Sequence, residues 1–211
     1  MSKKIIIIDY QLGNLYSVNQ VFKHLGHETF VTNNKEDILN ADYLVLPGVG
    51  AFGDAMNRLN EFDLVDPIKE YANSGKPLMG ICLGLQLLLT ESNEFGISKG
   101  LNIIKGTVEK FEVHQENQEL FKVPQIQWNM IHEAKKWKGT PLNDCTSDSF
   151  MYFVHSYFVN PIEKDVVLST TNYGAYNYCS SLIKNNIFAT QFHPEKSGKD
   201  GIKIYQNWLN Q

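Results

Sequence analysis

Short apolar runs alternate with helical patterns through the first half of the chain, and strand-like runs fill the second. Residues 4–9, "KIIIID", form a β-branched apolar run of the kind a strand buried on both faces requires. Leu15, Val18, Phe22 and Leu25 then recur at helical spacing, with Asn14 placed as N-cap and Gly26 as the stop. "ETFVT" and "YLVLP" (43–47) read as the next two strands, and 51–60 and 63–73 as helices. "KPLMGI" (76–81) is another buried strand, followed at once by the helical "LGLQLLL". This alternation of strands and helices predicts a parallel sheet covered on both faces.

After Gly100 the pattern changes. "LNIIKGTVEKFEV", "FKVPQIQW", "FMYFVHSYFV", "DVVLSTTNYG" and "YCSSLIKNNIFATQFHP" are strand-like, and Asn185-Asn186 reads as a hairpin turn. A last helix, "GIKIYQNWLN", follows. The expected fold is α/β: a mostly parallel central sheet flanked by helices, with an antiparallel β-rich second half, in one domain over 1–211.

Composition narrows the classes of function. A net charge of −4 without blocks of like charge gives no reason to expect nucleic acid or an anionic membrane as partner. Asp9 ends the N-terminal apolar run too early for a signal segment, and nothing approaches the roughly 20 apolar residues of a membrane span. Cys82, Cys145 and Cys179 are odd in number and lack CxxC spacing, so neither a disulfide framework nor a zinc site is indicated. A reducing, cytoplasmic location is expected, with no metal and no cofactor.

Chemistry concentrates in Gly80-Ile81-Cys82-Leu83-Gly84, a pentapeptide between a buried strand and a helix. It has the form of a nucleophile elbow with cysteine in the place of serine. Glycines relieve crowding around the sharp central residue, and the helix N-terminus favours a thiolate. The Leu83 amide, next after the sulfur, is placed to hold an oxyanion. A thiolate catalyst needs a base oriented by a third group, and "QFHPEKS" supplies His193 and Glu195 across the rigid Pro194. His24, His27, His114 and His132 lie in helical or polar surroundings and are expected at the surface.

With these motifs in hand, the chain resembles the class I (triad) glutamine amidotransferases, through "GICLGLQLL" and "QFHPEKS". "IDYQLGNLYSV", "LPGVGAFGDAM" and "YFVHSYF" are similar, more narrowly, to the glutaminase subunits of imidazole glycerol phosphate synthases. The likeness runs from Ile8 to the C-terminal helix. It implies glutamine hydrolysis through a Cys82 thioester, with His193 moving the protons and Glu195 holding the imidazole.

The resemblance also decides how Gly48-x-Gly50-x-x-Gly53 is read. A dinucleotide fingerprint belongs after the first strand and needs an acid ending the next one; this stretch follows the third strand, and Asp63, Asp66 and Glu70 lie in a helical pattern. In the resembled family it is the oxyanion strand, where an amide around Val49 and Gly50 turns toward the substrate, a movement that flanking glycines ease. Gln86 matches the family's glutamine-contacting residue. His155, Ser156 and Tyr157 match a strand whose backbone binds the substrate's α-groups, with Phe153 and Phe158 in the core.

The implied partner is a (β/α)8 barrel cyclase, forming a heterodimer that makes imidazole glycerol phosphate and an aminoimidazole ribotide in histidine biosynthesis. The stretch expected to face it reads Pro124-Gln125-Ile126-Gln127-Trp128-Asn129, where the family usually has histidine at 125 and glycine at 127. These departures leave open a paralogue that supplies ammonia for amidation of a surface-polysaccharide sugar. A relative that only binds is disfavoured, because Cys, His and Glu are all present.

Overall fold

The structure, a computed structural model, describes residues 3–112 and 122–211, and His114 lies outside them. β1 (Ile5–Ile8) leads into α1 (Leu15–His24), β2 (Thr29–Thr32), α2 (Lys35–Leu39) and β3 (Tyr43–Gly48). Next come α3 (Phe52–Glu61), α4 (Val65–Asn73), β4 (Leu78–Cys82) and α5 (Leu83–Leu87). Short strands β5 (Glu91–Ser92) and β6 (Ser98–Lys99) precede β7 (Gly106–Lys110), β8 (Gln125–Met130) and β9 (His132–Glu133). The chain continues through β10 (Phe150–His155), β11 (Tyr157–Pro161), β12 (Val167–Tyr173), β13 (Tyr176–Lys184), β14 (Ile187–Thr190) and α6 (Gly198–Leu209).

The main sheet runs β2-β1-β3-β4-β14-β13-β11-β7-β5-β6. Its first five strands are mutually parallel, and the series β14-β13-β11-β7 is antiparallel. The expected division into a parallel half and an antiparallel half is therefore present, and β14 joins them, because the last strand of the chain inserts beside β4. β8 and β10 form a separate antiparallel pair.

Strand periodicity explains why β1 is apolar at every position. Ile6 and Ile8 enter a core shared with α2 to α5, while Ile5 and Ile7 enter another shared with α1 and α6. All four are 0% exposed, so a polar residue anywhere in the run would be stranded in one core or the other.

Three local expectations differ from the fold. α2 was not signalled by periodicity, since five residues span little more than one turn; Asn34, whose side chain accepts from the Glu36 and Asp37 amides, is its visible mark. "LNIIKGTVEKFEV" forms a strand only from Gly106, because the Leu101, Ile103 and Ile104 amides turn back to Leu87 and Leu88 carbonyls. "FMYFVHSYFV" is two strands broken at Ser156. The Asn185-Asn186 hairpin is as expected: Lys184 pairs with Ile187, and Asn185 adopts φ 53°.

Candidate active site

β3, β4 and β14 lie side by side and parallel, so their C-terminal ends open on the same side, where open α/β sheets place ligands. Cys82 ends β4 with φ 55° and ψ −108°, a sparsely populated conformation for a side chain bearing a Cβ. The reversal forces α5 onto the sheet: a Cβ on Gly84 would sit 1.8 Å from the Leu46 carbonyl oxygen. Glycine at 84 is thus a matter of backbone approach, and its φ is ordinary.

β14 lies beside β4, with Ile81 opposite Thr190, so the chain that follows passes next to Cys82. His193 and Glu195, distant from the elbow in sequence, arrive there buried, their side chains 1% and 0% exposed. The imidazole Nδ1 lies 2.8 Å from Glu195 Oε1. Its Nε2 has no hydrogen-bond partner among the described residues, which leaves it available to a bound molecule. Burial opposes charging of this imidazole, but the adjacent Cys82 sulfur and the Glu195 carboxylate outweigh it and raise its pKa to about 10. The surroundings of His193 therefore favour the protonated imidazole.

Asn14 occupies the N-cap position of α1, as expected, but its side chain makes no cap bond; Nδ2 donates to Glu195 Oε1 at 3.2 Å, so it helps to hold the carboxylate beside His193. Gln191 is a second residue that sequence reasoning missed: its Nε2 donates to Cys82 Sγ at 3.7 Å and its Oε1 accepts from Gln86. Its place two residues before His193 was a signal, but nothing in its type announced a sulfur contact.

The end of β3 stands differently. Val49 lines the cavity and is 39% exposed, yet its N–H donates to the Leu12 carbonyl at 3.2 Å. Gly50, with φ 97° and no atom within 4 Å of where a Cβ would lie, also lines the cavity. Leu83, at the first position of α5, carries an N–H without an intrahelical acceptor.

Cys82, Leu83, Gln86, His155, Ser156, Tyr157 and His193 join Val49 and Gly50 around a cavity of about 450 Å³; Glu195 stands behind the imidazole. Gln86 Nε2 bridges the Tyr157 carbonyl and Gln191 Oε1. His155 is structural in its ring contacts: Nδ1 meets the Tyr157 carbonyl at 2.8 Å, and Nε2 meets the Tyr178 hydroxyl. Burial depresses its pKa to about 4, so it is neutral at pH 7. Phe153 and Phe158 are buried in the core.

Gln125 contributes nothing to a docking face, since it is 0% exposed with its Oε1 on the Tyr178 hydroxyl. Gln127 is exposed. Among the described residues no three His, Cys, Asp or Glu side chains converge as a metal site, and no helix is long and apolar enough to cross a membrane.

Residues 6–211 match the family model described as glutamine amidotransferase class-I. The chain is 46% identical to the imidazole glycerol phosphate synthase subunit HisH of Syntrophotalea carbinolica, over 97% of this chain and 98% of that one. It is 44% identical to the protein of the same name from Geobacter metallireducens (97% and 96% covered) and to subunit HisH 1 of Methanococcus maripaludis (97% and 98% covered). Among solved structures, PurLQS from Thermotoga maritima superposes with a TM-score of 0.71 at 20% identity, covering 100% of this chain and 99% of that one. A glutamine amidotransferase from the same organism gives 0.66 at 13%, with 100% and 85% covered. These two likenesses bear on the fold.

Proposed function

The chain belongs to the class I glutamine amidotransferase family, and from that premise we propose that it is the glutaminase subunit of an imidazole glycerol phosphate synthase in histidine biosynthesis. The observation that carries the chemistry is the buried His193–Glu195 pair, whose imidazole lines the same cavity as Cys82 and has its Nε2 unpartnered among the described residues. The Cys82 thiolate attacks the side-chain amide carbon of glutamine, and a C–S bond forms. The Leu83 N–H takes the resulting oxyanion, joined by the Val49 N–H once that peptide turns away from Leu12. His193 gives its proton to the nitrogen, the C–N bond breaks, and ammonia leaves a thioester. Water, deprotonated by His193, releases glutamate and restores the thiolate.

Gln86 and the backbone of 155–157 hold the substrate. The break at Ser156 supports this assignment, because a strand interrupted at the cavity wall presents backbone groups there that a continuous ladder would occupy.

Ammonia is mostly protonated in bulk water at neutral pH, so a receiving enzyme must abut the cavity. The partner is a (β/α)8 barrel cyclase bound as a heterodimer. Its docking face is the outer side of β8 and β10, where Ile126, Trp128 and Phe150 are 58%, 50% and 49% exposed. Val154, opposite Ile126 in the register, lines the cavity, so that face reaches the site. The burial of Gln125 removes it as a reason to prefer a sugar-amidating partner. The three free cysteines accord with a cytoplasmic location.

Cys82→Ala is expected to abolish glutamate release while the fold persists; turnover by that variant would overturn the catalytic assignment. Mixed with the histidine-pathway cyclase and its ribonucleotide substrate, the protein is expected to yield imidazole glycerol phosphate from glutamine. No product from a mixture that still releases glutamate would exclude this acceptor.

A further inference from the structure

A second polar chain lies behind the wall of the cavity, and the glutaminase chemistry does not use it. Gln125 (0% exposed), Tyr178 (3%) and His155 (7%) form a buried line from β8 to the strand break at Ser156. The contacts are Gln125 Oε1 to the Tyr178 hydroxyl at 3.0 Å, that hydroxyl to His155 Nε2 at 3.2 Å, and His155 Nδ1 to the Tyr157 carbonyl at 2.8 Å. Gln125 Nε2, also buried, has no partner among the described residues.

Counting protons gives the line a direction. A carbonyl only accepts, so the Tyr157 oxygen requires the proton of a neutral His155 on Nδ1. His155 Nε2 is then an acceptor, and the single proton of Tyr178 must go to it. Tyr178 consequently has no proton left for Gln125 and can only accept from it. Thr171, the strand neighbour of Tyr178, does not fill the need, because its hydroxyl proton goes to the Met130 carbonyl. Turning the Gln125 amide by 180° meets the proton count: Nε2 then donates to the Tyr178 hydroxyl, and the buried position without a partner passes from the amide nitrogen to the oxygen. Amide oxygen and nitrogen are assigned by such networks.

We infer that Gln125 and Tyr178 are positioning residues for the glutamine site, a one-way hydrogen-bond relay Gln125→Tyr178→His155→Tyr157 that fixes the peptide at Tyr157. That oxygen also accepts from Gln86 Nε2, so the relay and Gln86 grip the same peptide from two sides. The inference rests on the proposed reading of this backbone as the binder of the glutamine α-groups, and it deepens that reading. It also accounts for Gln125, the departure that made the partner doubtful: its amide supplies the donor at the head of the relay, within the core.

The test uses the complex with the cyclase and 6-diazo-5-oxonorleucine, a glutamine analogue that alkylates the nucleophile, with iodoacetamide as a reagent that has no α-groups to recognise. Tyr178→Phe is expected to raise the half-saturating concentration of the glutamine analogue about fivefold, the size of one ordinary hydrogen bond. Its limiting alkylation rate and the iodoacetamide rate should stay within about twofold of the parent, because the nucleophile itself is untouched. An unchanged half-saturating concentration would overturn the relay, and failure of the analogue to label Cys82 in the parent would instead overturn the glutaminase reading. Should the variant not fold, nitrogen-15 imidazole shifts of the parent protein decide the matter. A neutral His155 protonated on Nδ1 is expected, and protonation on Nε2 would refute the direction of the chain.

Discussion

Two adjacent strand ends line the same cavity and are built on opposite terms. At the end of β4 the backbone is tightly packed: Cys82 is 6% exposed, a Cβ on Gly84 would run into the Leu46 carbonyl, and the His193–Glu195 pair at the same cavity is buried. At the end of β3, the strand beside it, Val49 is 39% exposed and Gly50 has open space around it. The β3 terminus keeps one restraint, the Val49 N–H bond to Leu12. In the proposed mechanism the nucleophile wall is set before substrate arrives, whereas the oxyanion wall must turn one peptide. One hydrogen bond, worth about 1 kcal/mol net, is an obstacle that a docking partner can remove.

The sharpest attack on the fixed wall is Gly84→Ala. A methyl group 1.8 Å from a backbone oxygen must push α5 off the sheet, and we expect about 3 kcal/mol of lost stability or more, read from the denaturation midpoint. Little change would mean that this wall can yield, and the contrast would fail. Glu195→Gln keeps shape but gives His193 a neutral neighbour. Glutamate release is expected to fall at least about a hundredfold while the half-saturating glutamine concentration changes little.

The same wall carries a pH signature. His193 has its pKa raised from 6.5 to about 10 on folding, so the stability it contributes is complete below about 6.5 and disappears as pH rises toward 10. Melting temperature should decline across that interval more steeply in the parent than in His193→Gln; equal slopes would place the proton elsewhere. The mildest change belongs to the movable wall. Gly50→Ala meets no atom but must hold φ near 97°, and should lose roughly 1 kcal/mol of stability. Its larger effect should be on activation by the cyclase, measured as the ratio of glutaminase rates with and without the partner. A ratio equal to the parent's would show that the β3 end does not have to turn.

Much of this was legible in the chain because it depends on neighbours in sequence. The elbow is a pentapeptide, the His193–Glu195 pair is two residues apart, and the β13–β14 hairpin turns on two asparagines. α2 escaped because one turn of helix has no period to detect. Asn14 is the N-cap its helical neighbours signalled, but the partner of its side chain, Glu195, lies 181 residues away. Gln125 looked like an interface residue because the stretch around it resembles one, and only the packing of β8 against Tyr178 reveals which way it points.

Alternation of apolar strands with amphipathic helices, and the residue types at the elbow and after the last strand, determined by themselves the sheet and the reagents it holds. Which residues stand behind those reagents was decided by the insertion of β14 beside β4 and by the pairing of β8 with β10. The reason is one of range. Periodicity and turn chemistry act over a few residues and leave a mark on the sequence, whereas the direction of a buried amide is chosen by whichever donors and acceptors the folded chain brings to it.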